Sequence, residues 1–420
     1  MSLVYIGFVP HPPIIVPEIG RGEERFAEAT IKAYQKIAQS VVEMEAQNVL
    51  IVSPHAPLLR SGFAYLDGQR VKGDFGNFRA SQVKFDLEVN RDLLTKIKEE
   101  IPEAVPVKAL LDHGTMVPLY YLQKAGWTGK IVVLGMPLEE PEAYGQKVGQ
   151  IMNDSAERWA LIASGDLSHK LKEDGPYGYH PSGPKADNII VKGLRKNTAL
   201  VRSIPEDLLE EAAECGYRSL LFALGAREGT IKVLSYEGPY GVGYLVAEIY
   251  RSSPIAGFAR ECLTYYLTAQ PFDKLTVPGD PLLKEKKGCF VTLKKDGHLR
   301  GCIGTIQPVR ENLAAEIRHN AIAAATQDPR FWPVQADELP LINVSVDVLG
   351  DLEKVSGYDE LDPYRYGVVV KRRGRVGLLL PHLEGVDTVE EQVRIAKQKA
   401  GIAEHEEVEL WRFEVQRFFE

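Results

Sequence analysis

Four histidines near the start of the chain each follow an apolar run with the character of a β-strand. Val4–Val9 precedes His11, Val49–Val52 precedes His55, Val107–Leu111 precedes His113, and Leu161–Ala163 precedes His169. In open α/β sheets ligands bind in the crevice beyond the carboxyl ends of the strands. Imidazoles delivered there by separate strands would converge on one site, and the chemistry of such a set is metal binding. Non-haem Fe(II) oxygenases use two histidines and one carboxylate on one face of the metal and leave positions for substrate and O₂. A further imidazole beside the metal serves as acid or base, because its pKa lies near working pH. Two of the four histidines would then be ligands, and two would support the metal or move protons. The carboxylate stays open between Glu214, Asp166 and Asp112.

Positioning that set requires alternating strands and helices. A helix is expected over Glu23–Gln47, where Ala27, Ile31, Tyr34, Ala38 and Val41 step along one face. The strand Val49–Val52 has no polar alternation, as expected when both faces are covered. Further units are Lys130–Leu134 with a helix over Pro141–Ala160, a strand at Ala160–Ala163, a late helix over Pro205–Leu224 and a closing strand at Tyr240–Tyr250. The implied fold is an α/β domain with a mixed or parallel sheet flanked by helices.

The pattern changes at Arg251-Ser252-Ser253-Pro254, which places the boundary between a domain of residues 1–250 and another of 251–420. Beyond it lie a helix at Ile255–Leu267 and a hairpin of Cys289–Leu293 and Leu299–Ile303 about Asp296-Gly297. A second hairpin joins Tyr366–Val370 to Val376–Leu380 about Arg373-Gly374. Helices fit Arg310–Ala325 and Val389–Ala400, and strands fit Ile342–Val348 and Glu407–Val415. Hairpins with helices make this a separate α+β domain.

At 420 residues the chain exceeds one ordinary core. A net charge of -8 argues against nucleic-acid binding. No run approaches the ~20 apolar residues of a membrane span. Met1-Ser2-Leu3-Val4 lacks the basic start of a signal peptide, and Cys215, Cys262, Cys289 and Cys302 form no closely spaced pair. The expectation is a cytoplasmic protein with reduced thiols.

The segments Pro10-His11-Pro12-Pro13, Ser53-Pro54-His55-Ala56-Pro57, Asp112-His113-Gly114-Thr115-Met116 and Ser164-Gly165-Asp166-Leu167-Ser168-His169 occur in that order. Together they resemble the class III extradiol dioxygenases of the LigB-like superfamily, over about residues 1–250. The resemblance implies Fe(II) bound by His11, His55 and Glu214, with zinc, manganese or copper as other divalent candidates. It also implies His169 as base toward a catechol hydroxyl, His113 on the O₂ side, and a small aromatic substrate cleaved with O₂. The segment Glu214-Cys215-Gly216-Tyr217-Arg218 resembles the Memo-like branch as well, where a cysteine stands at the third ligand position. Glu214 and Cys215 thus remain alternative ligands, and a non-catalytic metal-binding module remains the alternative function. Phe8, Tyr120, Tyr121 and Tyr179 could line a pocket or simply pack, and His180 reads as a structural group.

In the second domain Leu299-Arg300-Gly301-Cys302-Ile303-Gly304, with Asp328-Pro329-Arg330-Phe331, resembles the AMMECR-type domain. Arg300 would lower the Cys302 thiol pKa if it lay beside it, and His382 is a candidate neighbour; a small buried thiol is the plain alternative. Chains joining these two modules resemble a component of the AmmeMemoRadiSam system, which implies a radical S-adenosylmethionine enzyme as partner.

Overall fold

Every residue of Leu3–Val9 (β1), Asn48–Ser53 (β2) and Trp159–Ser164 (β8) is buried, as strands sandwiched between helices must be. The computed structural model describes residues 2–295, 297–383 and 385–420. It divides into two compact units, residues 1–251 and 252–420. The remaining strands of the first unit are β3 (Phe63–Leu66), β4 (Arg70–Phe75), β5 (Ala80–Glu88), β6 (Ala104–Val107), β7 (Lys130–Gly135), β9 (Lys232–Glu237) and β10 (Tyr244–Arg251). Among the described residues the main sheet runs β6-β3-β7-β2-β8-β1-β10-β9, and β4 pairs with β5 in a separate hairpin. β8 lies between β1 and β2 and is parallel to both, so the carboxyl ends of all three open on one edge. β10 and β9 continue the sheet antiparallel, which makes it mixed.

The differences from the sequence reading have local causes. The expected strand Val107–Leu111 is not formed: β6 ends at Val107, and Asp112 caps a helix that begins at His113. β6 is an edge strand, and Leu110 beyond it is 76 % exposed, so its apolar character buries nothing. The helix expected over Glu23–Gln47 opens with a 3-10 turn and is α-helical over Glu28–Glu43. The one expected over Pro141–Ala160 ends at Asn153, because Trp159 already joins β8. The late helix splits into Glu206–Ala212 and Tyr217–Ala226.

That split positions the Glu214-Cys215 pair. Ala213 adopts a left-handed backbone with φ 52°, ending the first helix. The chain then crosses Gly165 so closely that a Cβ there would stand 2.1 Å from the Gly216 Cα. Only two glycines permit that approach, and through it the Cys215 N–H reaches the Asp166 carbonyl at 3.2 Å.

The second unit holds two antiparallel sheets. One is β12-β11-β13-β18, from β11 (Cys289–Lys295), β12 (His298–Gly304), β13 (Ile342–Leu349) and β18 (Val415–Phe419). The other is β14-β17-β15-β16, from β14 (Glu353–Val355), β15 (Gly367–Arg372), β16 (Arg375–Leu379) and β17 (Glu409–Phe413). Helices Pro254–Leu267 and Leu313–Thr326 pack on Val291, Leu293, Val344 and Val346 of the first sheet. The helix Val389–Lys399 packs on Val368 and Val370 of the second. The single strand expected at Glu407–Val415 is two, β17 and β18, one in each sheet. Both expected hairpins form; Asp296, in the first turn, lies outside the described residues. No helix among the described residues is long and apolar enough to cross a membrane.

The Gly165–Gly216 approach sets a stability test. Gly165→Ala forces two backbones apart and should destabilise the protein by about 1–3 kcal/mol, read as a lowered midpoint in chemical denaturation. An unchanged midpoint would mean that the contact is slack.

Candidate metal centre

His11 leaves the end of β1 with its backbone fixed, since its N–H donates to Asp166 Oδ1 at 2.8 Å. Its ring is fixed as well. Nδ1 lies 3.0 Å from the Ser164 hydroxyl, and that hydroxyl donates its one proton to the Gly114 carbonyl at 2.6 Å. Ser164 can therefore only accept from His11, so Nδ1 carries the hydrogen and Nε2 presents its lone pair. Gly114 matters here as a glycine: a Cβ on it would stand 2.4 Å from the Ser53 hydroxyl.

Nε2 of His55 lies 3.0 Å from Nε2 of His11. His113, the first residue of its helix, places its ring centroid 4.1 Å from that of His55 and 5.3 Å from that of His11. One nitrogen from each of the three rings lies within 4.8 Å of the others. Burial, reinforced by the neighbouring imidazoles, holds His11 well below its ordinary pKa and His113 at about 4; burial alone lowers His55. All three are neutral at pH 7 with lone pairs to offer, and that donor set fits a divalent first-row metal. His11 is buried and His55 exposed, so the centre opens to solvent on the His55 side.

His169 stands beside the trio rather than within it. Its Nδ1 donates to the Ala213 carbonyl at 2.5 Å, which leaves the lone pair on Nε2. Burial lowers its pKa, and the charge of a protonated His55 would lower it further.

The carboxylate candidates separate. Glu214 is not part of the histidine group: its Oε2 accepts the Tyr217 N–H at 2.5 Å at the start of the following helix. Its neighbour Cys215 faces the site, with Sγ 3.7 Å from His11 Nε2. Asp112 is occupied by the Ser53 hydroxyl and by the N–H and hydroxyl of Thr115. Asp166 is the carboxylate nearest His11: its Oδ2 lies 3.9 Å from Nε2, and burial pushes the group up to about 7. His180 lies farther along the same connection, residues 165–181, as Asp166 and His169, with its Nδ1 3.9 Å from Glu211.

Two aromatic rings that the sequence reading missed flank the histidines. Phe78 meets His113 at 5.6 Å and Tyr177 meets His169 at 5.0 Å, both edge-on. Neither carries a motif that would have marked it. The aromatics that were singled out do other things. Phe8 is buried in β1, Tyr120 and Tyr121 bond to Glu18 and the Ile15 carbonyl, and Tyr179 is 45 % exposed.

In the second unit the Cys302 thiol accepts from the Thr292 hydroxyl at 3.2 Å, and burial pushes its pKa up. Arg300 does not activate it: its guanidinium pairs with Glu338 at 2.8 Å and with the Trp332 carbonyl. The cations whose charges act on the Cys302 region are Arg330 and Lys399. Among the described residues no hydrogen bond or ring contact joins His382 to Cys302, and the His382 ring lies against Tyr364.

Residues 5–247 match the family model of the catalytic LigB subunit of aromatic ring-opening dioxygenase, and residues 256–418 match that of AMMECR1. Protein CA_C1420 of Clostridium acetobutylicum is 41% identical over 467 residues, covering 99% of each chain. A protein of Thermotoga maritima is 61% identical over 141 residues, which are 33% of this chain and 81% of its own. Among solved structures, protein PH0010 of Pyrococcus horikoshii is 30% identical and covers 40% of this chain and 89% of its own, with a TM-score of 0.36. The chain belongs to the family of the catalytic LigB subunit of aromatic ring-opening dioxygenases, and it carries an AMMECR1 unit behind that domain.

Proposed function

We propose that residues 1–251 are a metal-dependent oxidoreductase in which His11, His55 and His113 hold ferrous iron and a small aromatic diol reacts with dioxygen. The convergence of three neutral imidazoles, two following the ends of β1 and β2 and one opening a helix, with a fourth beside them, carries this reading. Bound there, the metal supplies Lewis acidity and redox reactivity toward dioxygen. Asp166 supplies a buried carboxyl against His11, where its ionised form offsets cationic charge. His169 takes the hydroxyl proton of the diol on Nε2, because Ala213 already holds the hydrogen on Nδ1. Phe78 beside His113 and Tyr177 beside His169 supply aromatic surface for an aromatic substrate.

One observation favours a second reading. Cys215 faces His11 while the Glu214 carboxylate accepts the Tyr217 N–H, and a thiol at that position suits a softer or redox-linked metal. On that reading the unit holds or passes on a metal without ring cleavage, serving a partner such as a radical S-adenosylmethionine enzyme.

Anaerobic protein loaded with Fe(II) should bind iron stoichiometrically and take up O₂ with a catechol. Bound metal without uptake across a catechol panel would favour the second reading. The His11→Ala, His55→Ala double variant should lose the iron, and full occupancy in it would overturn the site. His169→Ala should keep the iron and lose the uptake. Ser164→Ala frees the His11 ring and should weaken metal affinity about 10–100-fold, measured by competition with a chromogenic chelator.

A further inference from the structure

The residue before His169 has all its polar groups engaged. The Ser168 N–H donates to Asp187 Oδ1 at 2.9 Å, and its carbonyl accepts from Gly243 at 2.8 Å. Its hydroxyl donates to the Ala212 carbonyl and accepts from the Lys170 N–H, both at 3.0 Å. His169 adds its own N–H to Ala212 at 3.0 Å. Asp187 lies in the helix Ser182–Lys196 and is 1 % exposed. Its second oxygen accepts from the Tyr236 hydroxyl of β9 at 2.7 Å. A Cβ on Gly243 would stand 2.2 Å from that oxygen, so the backbone passes directly over the carboxylate.

A carboxylate buried this way, with no lysine, arginine or histidine paired to it among the described residues, carries a large desolvation cost. An amide of the same shape would fill the space without that cost. What the carboxylate adds is a charge-assisted grip on one backbone N–H, stronger and more directional than a neutral bond. That N–H belongs to the residue that aims His169.

We infer that Asp187, held by Tyr236, is a positioning residue for His169: it locks Ser168 so that the imidazole keeps Nδ1 on Ala213 and presents Nε2 to the centre. The inference rests on the reading of His169 as the proton acceptor, and it names the part of the fold that keeps it one. Asp187 acts through Ser168 rather than on substrate or metal.

The test is ¹⁵N NMR of histidine-labelled, zinc-loaded full-length protein, with His169→Gln used to assign the signal. Native His169 should show a single neutral tautomer protonated at Nδ1. In Asp187→Asn the signal should become a mixture of both tautomers, and the His169 amide should exchange faster with solvent, while zinc stays stoichiometric. Tyr236→Phe, which keeps the ring, should move both readouts in the same direction by less, and it decides the matter should Asp187→Asn not fold. A His169 tautomer and amide exchange unchanged from native in the folded variants would overturn the inference, even if their melting temperatures fall. Where the native protein turns over a catechol, Asp187→Asn should lower kcat about 100-fold with little change in KM. Absence of native turnover would remove the ring-cleavage reading alone, because the tautomer decides the role of Asp187 independently.

Discussion

The hydroxyl of Ser164 is the joint on which the centre depends. It accepts from His11 and donates to the Gly114 carbonyl, tying the end of β1, the end of β8 and the first turn of the helix that starts at His113. A hydroxyl has one proton to give, so its donation to Gly114 dictates the tautomer of His11. From that choice follows the direction of the His11 lone pair, which faces His55 at 3.0 Å and has Cys215 and Asp166 near it. The sheet order makes the joint possible: β8 lies next to β1, and both end on the same edge.

Burial does the rest of the electrostatic work. Imidazoles removed from water resist protonation, and several together resist it more, so the centre stays neutral and ready for a cation. The same burial pushes the carboxyls of Asp166 and Glu214 up to about 7. The site is thus poor in permanent charge until something positive enters it. A second layer of fixed backbone, from Ser168 to Gly243, holds His169 at its side.

Much of this was readable in the sequence because parallel strands buried on both faces are written as unbroken apolar runs. β1, β2 and β8 stand where such runs lie, and the histidines follow them. What failed to show was what depends on contacts between distant segments. Whether Glu214 or Cys215 faces His11 is decided by the Gly165–Gly216 approach and by the Tyr217 N–H that holds the Glu214 carboxylate, and neither can be read from a local pattern. His113 looked like the residue after a strand and is instead the start of a capped helix, which brings it against His55. Val71, Phe75, Phe85 and Leu87 are buried along β4 and β5, and the strict alternation Val83-Lys84-Phe85-Asp86-Leu87-Glu88-Val89 was a legible strand signal that the sequence reading missed. In the second unit Arg300 and Cys302 are neighbours in sequence, yet Glu338 takes the guanidinium.

The proposed centre brings three imidazoles, from His11, His55 and His113, to one metal ion. X-ray absorption at the iron edge of anaerobically loaded, full-length protein measures this most directly, because imidazole rings give a distinctive outer-shell scattering. A shell of light atoms containing three imidazoles is expected, reduced in the His113→Ala variant. A shell without imidazole scattering, or one unchanged when His113 is removed, would contradict it.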